Sequence, residues 1–210
     1  MRVSPSVVIF DYGNVLCQFQ PAADTLAMAS ILNLLPSKFT ELYWRSRIEY
    51  DAGLLDSSGY WNTLAESGTL TPHQIAELNE IDGRSWSHPA PAMPQWARHL
   101  RAAGIRTAIL SNMPATVRDY VLHQSWLPRF DALTFSCDLG ICKPEAAIYH
   151  DCLKKLNAEP SEALFLDDRE PNVHGAEALG LHAVLFTDVS TAAQEIDRRF
   201  SLPVTLSNLY

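Results

Sequence analysis

The sequence predicts an α/β fold, a doubly wound and mostly parallel sheet with a block of helices inserted after its first strand. Three observations carry this expectation. Short apolar runs of strand length recur through the second half of the chain, separated by segments of helical spacing, which is the pattern of βαβ units with right-handed crossovers. The first run, Val7-Val8-Ile9-Phe10, is apolar at every position, as in a strand buried on both faces. From Pro21 to about Pro94, by contrast, the spacing is helical and no strand is convincing.

The elements follow in order. Residues 1–6 read as a short leader, and the first strand with its loop extends to about Gln20. Four short helices are expected in the insertion, within Ala22–Leu35 and Pro36–Tyr50 and after starts at Ser57 or Ser58 and at Thr71-Pro72, the last with proline at the first helical position. An amphipathic helix, Gln95–Ala103, is stopped by Gly104 and leads into a strand over Ile105–Leu110. Thr116–Gln124 then reads as helix, Ala132–Phe135 as strand, Glu145–Leu156 as helix and Ala163–Leu166 as strand. Asn172–Leu179 is helix with Gly180 as its stop, and His182–Phe186 a further strand. The tail after Phe200 is expected to be a last short strand or a docked terminus. This divides the chain into a core of residues 1–20 and 91–210 and an inserted unit of residues 21–90.

Composition narrows the function classes. The chain has 210 residues, enough to bury a sizeable core, and carries 16 Lys and Arg against 24 Asp and Glu, a net charge of −8. Such a balance argues against nucleic acid as a partner, since affinity for a polyanion needs a basic surface that releases counterions. A small anionic substrate stays compatible, because one lysine, a metal ion and a few amides make a locally positive pocket. No apolar stretch approaches the roughly 20 residues of a membrane span, so no membrane partner and a cytoplasmic location are expected. Cys17, Cys137, Cys142 and Cys152 lack paired spacing and read as reduced structural thiols. Oligomeric state, monomer or homodimer, is not legible.

Four places carry chemistry. Asp11 closes the first strand, at the end where ligands sit in open parallel sheets, although an aspartate there can also simply bond nearby amides. Ser111-Asn112 closes the strand that ends at Leu110 and could equally cap a helix. Lys143, before Pro144, is a lone cation in a loop. Asp167 and Asp168 end a buried strand as adjacent carboxylates, which repel unless a cation or solvent relieves them. In this order and at these separations the four stretches resemble the four motifs of the haloacid dehalogenase-like superfamily, most of whose members are phosphatases.

That resemblance implies a Rossmann-like core with an α-helical cap in the place of residues 21–90. It also implies a Mg²⁺-dependent phosphatase of small phosphorylated metabolites, sugar phosphates among them. Asp11 would attack phosphorus as a carboxylate and form an aspartyl-phosphate. Lys143 would neutralise charge, with Ser111 and Asn112 binding the phosphate. Mg²⁺ would take oxygens from Asp11, the main-chain carbonyl of Gly13 and Asp168, with Asp167 as a fourth ligand or an acceptor behind them. Tyr43, Trp44, Arg45, Arg47 and Tyr50 are candidates for substrate specificity, set against the ordinary reading of core aromatics and a solvated charged face.

One departure matters. The family's usual first motif has a second aspartate two residues after the nucleophile, serving as general acid and base; here that residue is Gly13. Such a shuttle is worth ~10²–10⁴-fold, so poor leaving groups should react slowly. The Asp-x-Gly-Asn-Val motif is similar to that of a helical-cap branch containing bacterial α-D-glucose-1-phosphate phosphatase, and a sugar 1-phosphate has a comparatively good leaving group. Mutases of the superfamily depend on the missing acid. The 2-haloacid dehalogenases, which need no metal, have an aromatic at the position of Gly13 and lack the carboxylate pair. A dehalogenase and a non-catalytic ligand- or protein-binding module remain the alternatives.

Overall fold

Five strands, β1 (Val7–Phe10), β2 (Arg106–Ser111), β3 (Ala132–Phe135), β4 (Ala163–Asp167) and β5 (His182–Leu185), form one sheet in the order β3-β2-β1-β4-β5. The computed structural model describes residues 2–66 and 68–209. All four strand pairings are parallel, in agreement with the expected doubly wound sheet. From central β1 the chain winds outward to β3 on one side, then returns and winds to β5 on the other. The direction therefore reverses between β1 and β4, the crevice where open α/β sheets bind ligands. Asp11 and Asp167 stand at the carboxyl ends of these two strands.

Between β1 and β2 lie α1 (Ala22–Ile31), α2 (Pro36–Arg45), α3 (Arg47–Asp51), α4 (Ser57–Leu64) and α5 (Pro72–Ser85), then α6 (Ala92–Ala102). The insertion thus has five helices among its described residues rather than four. Residues 36–50 do not form one helix because Ser46, at φ −109° and ψ 19°, breaks it into α2 and α3. The start at Thr71 is as expected: its side chain and that of Gln74 cap α5 reciprocally, with Pro72 at the first helical position. The insertion has a core of its own, built on Met28, Phe39, Leu42, Tyr60, Trp61, Leu78 and Ile81.

The rest of the chain supplies α7 (Ala115–Leu122), α8 (Ser136–Leu139), α9 (Ala146–Leu156), α10 (Glu170–Ala178) and α11 (Val189–Arg199). Strand alternation sends Val8 and Phe10 into one core with Trp96, Val117, Val121 and Ile196, contributed by α6, α7 and α11. Val7 and Ile9 enter the opposite core with Tyr149, Cys152 and Ala176 from α9 and α10. Two such layers explain why β1 is fully buried and reads as unbroken apolar sequence. Val3 bridges Phe200, and Leu206 is buried. The four cysteines are free thiols.

Candidate active site

The site grows from the strand ends. Beyond β1 the backbone of Asp11 still bonds Leu166, its N–H donating at 2.8 Å, so the side chain leaves the sheet in a fixed direction. Oδ1 of Asp11 accepts from the Tyr12 N–H at 2.7 Å and lies 2.8 Å from Nζ of Lys143. The same ammonium lies 2.6 Å from Oδ2 of Asp167. Asp167 also accepts from the Arg169 N–H and from the Asn172 amide, both at 2.9 Å on Oδ1. Asp168 is less buried and accepts from Nδ2 of Asn14 at 2.7 Å.

Asn112 holds Lys143 in place. Its carbonyl oxygen accepts from the Lys143 N–H at 2.8 Å and its Nδ2 donates to the Lys143 carbonyl at 3.1 Å. This two-way amide clamp makes Asn112 a support of the lysine loop, and Asn112 also lines the cavity. Ser111 ends β2 inside the cavity, so the helix-cap alternative does not apply; Pro114 precedes α7 instead. Gly175 in α10 permits the lysine loop to come close, since a Cβ there would stand 2.8 Å from Cβ of Pro144.

The electrostatics are those of buried anions sharing one cation. Burial lifts the Asp11 carboxyl to about 7; Lys143 opposes this, and Asp167 and Asp168 add repulsion. Asp168 is raised as well, chiefly by burial. Burial works against the Lys143 ammonium, but Asp11 and Asp167 outweigh it and hold its pKa above the ordinary value. One oxygen from each of Asp11, Asp167 and Asp168 lies within 4.8 Å of the others. Three carboxylates facing one ammonium leave a deficit of positive charge, and an all-oxygen donor set suits a hard cation such as Mg²⁺. The residues present therefore fit that ion.

A cavity of about 520 Å³ opens over these groups. Its lining brings together Asp11, Gly13, Ser111, Asn112, Lys143 and Asp168, and adds Trp44, Arg47 and Asp51 from the insertion. Of the five specificity candidates, Trp44 and Arg47 reach the cavity. Tyr43 and Tyr50 are buried in the insertion's core, and Arg45 pairs with Glu41 on the outer surface. Arg47 bonds Asp51 at 2.8 Å and Asp82 at 3.1 Å.

Phe19, Trp86, Asn14, Asp51 and Arg169 are site residues that sequence reasoning missed. Phe19 precedes the insertion and Trp86 follows α5 within it, both aromatics outside any helical stripe, which is the signal they carry. Asn14 adopts φ 56°, a left-handed conformation that asparagine tolerates better than most residues.

A doubly wound parallel sheet with carboxylates at its switch point and a helical insertion above them is the frame of a large class of hydrolases. A model of the haloacid dehalogenase-like hydrolases matches residues 5–180, and the chain belongs to that family. Mouse acyl-CoA dehydrogenase family member 10 is 37% identical over 95% of this chain, which spans 19% of that protein. The sesquiterpene phosphatase astK of Aspergillus oryzae is 26% identical over 90% of this chain and 93% of its own length. Among solved structures, a HAD family enzyme of Bacteroides thetaiotaomicron, an aspartate-to-alanine mutant in complex with magnesium and inorganic phosphate, superimposes with TM-score 0.69 at 16% identity. That match covers 90% of this chain and 98% of the other.

Proposed function

We propose that this chain is a Mg²⁺-dependent phosphatase of small phosphorylated molecules, working through an aspartyl-phosphate on Asp11, with residues 21–90 as its cap. The observation that carries the reading is the convergence of Asp11, Asp168 and Lys143 beside Ser111 in one cavity, with Asp167 buried behind Lys143. The named activity of the fungal phosphatase, which this chain matches over nearly its whole length, supports it.

In the first step an Asp11 oxygen forms a bond to phosphorus while the ester P–O bond breaks, its electron pair leaving on the alcohol oxygen. Water then attacks phosphorus as the bond between phosphorus and the Asp11 oxygen breaks, its electron pair returning to the Asp11 carboxylate, and the water's proton leaves with the phosphate or to solvent. Lys143 offsets charge on the nucleophile and the phosphoryl group, and the Ser111 hydroxyl, which bonds no described protein group, is free to donate to a phosphoryl oxygen. Asp167 acts through Lys143 and Asn172, which occupy its oxygens. Mg²⁺ would be held by Asp11, Asp168 and the Gly13 carbonyl, with Asp167 behind them as an acceptor, and would supply charge neutralisation at the phosphoryl oxygens.

The test is phosphate release from p-nitrophenyl phosphate and acetyl phosphate with and without Mg²⁺, for the wild type beside Asp11→Asn. Metal-dependent release that vanishes in the variant is expected. Equal release from both proteins would remove Asp11 as nucleophile.

A further inference from the structure

We propose that the pocket takes the phosphate ester of an apolar alcohol with a ring-bearing or unsaturated skeleton, whose carbon part lies against an aromatic wall of Phe19, Trp44 and Trp86. This rests on the phosphatase reading and narrows its substrate class away from sugar phosphates.

The three rings form one cluster. Phe19 and Trp44 are stacked at 6.5 Å with planes 25° apart, Phe19 meets Trp86 edge to face at 5.7 Å, and Trp44 meets Trp86 likewise at 6.4 Å. All three line the cavity that holds Asp11 and Lys143. Phe19 is 54% exposed and Trp44 42%, and Ile48, also on the lining, is 66% exposed. Large apolar groups gathered half-exposed around a cavity mark a surface that gains by being covered. The cavity is continuous with the catalytic carboxylates, so the cover is the organic part of whatever ester places its phosphorus at Asp11.

The wall has few partners for a polyhydroxylated sugar: of its two indole N–H groups, that of Trp44 bonds no described protein group, while that of Trp86 is engaged. Nε1 of Trp86 is already given to the Tyr43 hydroxyl at 3.1 Å. That hydroxyl in turn donates to Asp82 at 2.6 Å and accepts from Gln20 and Arg47. Arg47 and Asp51 are paired with each other. The several hydroxyls of a sugar laid on the aromatic faces would lose water and find at most the Trp44 N–H as a partner, which is costly. A ring or conjugated chain gains from the same faces by stacking, worth about 0.5–1.5 kcal/mol beyond area burial.

The wall also reaches the reaction centre. A Cβ on Gly13 would stand 3.3 Å from Cζ3 of Trp86. The indole thus covers the residue where the superfamily's acid would stand, and the carbon next to the leaving oxygen meets its six-membered ring there.

The experiment compares 2-phenylethyl phosphate, ethyl phosphate and glucose 1-phosphate as competitive inhibitors of acetyl phosphate hydrolysis. Calorimetric binding of the three to the Asp11→Asn protein with Mg²⁺ is measured in parallel. The phenylethyl ester is expected to bind at least about tenfold tighter than the other two, a difference of about 1.4 kcal/mol. In Trp44→Ala that preference should shrink to within about threefold. Glucose 1-phosphate binding as tightly as the phenylethyl ester, or a preference untouched by Trp44→Ala, would overturn the proposal. Failure of acetyl phosphate hydrolysis would count against the phosphatase reading instead, while the calorimetry still decides the ligand class.

Discussion

The side-chain amide of Asn14 donates to Oδ2 of Asp168 at 2.7 Å, tying the loop after β1 to the loop after β4. The bond fixes which way an otherwise half-buried carboxylate points. Partners that orient a metal-ligating group are typically worth 10–100-fold in metal affinity. Asn14→Gly keeps the left-handed backbone easy and removes the amide. It should raise the Mg²⁺ concentration for half-maximal activity by about 10–100-fold at saturating substrate. An unchanged Mg²⁺ dependence would show that Asp168 needs no such guide.

Lys143 stands between two buried carboxylates, its side chain 1% exposed. Removing one partner of a buried charge cluster costs about 3–5 kcal/mol. Lys143→Met should therefore lower unfolding free energy by about that amount at neutral pH without Mg²⁺. Adding Asp11→Asn to it should restore part of the loss, because the surviving anions no longer face each other unneutralised. Urea denaturation of both single variants and the double variant measures the coupling, and simple additivity would contradict it.

Without an acid at Gly13, kcat/KM should fall steeply as the pKa of the leaving alcohol rises through a series of aryl and alkyl phosphates. Gly13→Asp alone should not help, since its Cβ meets the Trp86 ring at 3.3 Å. Gly13→Asp combined with Trp86→Leu should gain about 10²-fold on alkyl phosphates over Trp86→Leu alone. No gain in the double variant would mean that protonation of the leaving group is not what limits the enzyme.

Burial raises the Asp51 carboxyl from 3.8 to about 6, with Arg47 opposing it. Folded Asp51 thus keeps a proton that the unfolded chain releases at lower pH. Its contribution to stability is fully present below about 3.8 and is lost as pH rises through about 6. Relative to Asp51→Asn, the wild type should lose stability between those limits and run parallel above them. Urea midpoints across pH 4–8 read this directly, and a constant difference between the two proteins would refute the raised value.

The strand-end residues are the legible part of the molecule. Asp11, Ser111 and Asp167 each close a run of buried apolar sequence, so the register that buries the strand also exports the polar side chain. Lys143 is legible only through the superfamily resemblance, because nothing in a loop dipeptide says that Asn112, just past the end of β2, grips its backbone. The insertion is harder for a related reason. Aromatics at helical spacing look alike whether they face a core or a cavity: Tyr43 and Trp44 are neighbours in sequence, yet one is buried in the core while the other lines the pocket. Ser46 breaks a run that periodicity would continue, since a local backbone turn leaves no trace in hydrophobic spacing.

The hydrogen bond from Trp86 to Tyr43 separates the aromatic wall into a fixed part and an exchangeable one. Trp86 is anchored to a buried polar network that includes Arg47, Asp82, Gln20 and Ser85, so replacing it disturbs the insertion's interior. Phe19 and Trp44 are half-exposed and use no hydrogen bond from the network. A new substrate is therefore most easily acquired by rewriting positions 19 and 44, with the chemistry at the strand ends and the folded state both spared. Libraries confined to those two positions should yield altered substrate preference among a large fraction of folded members.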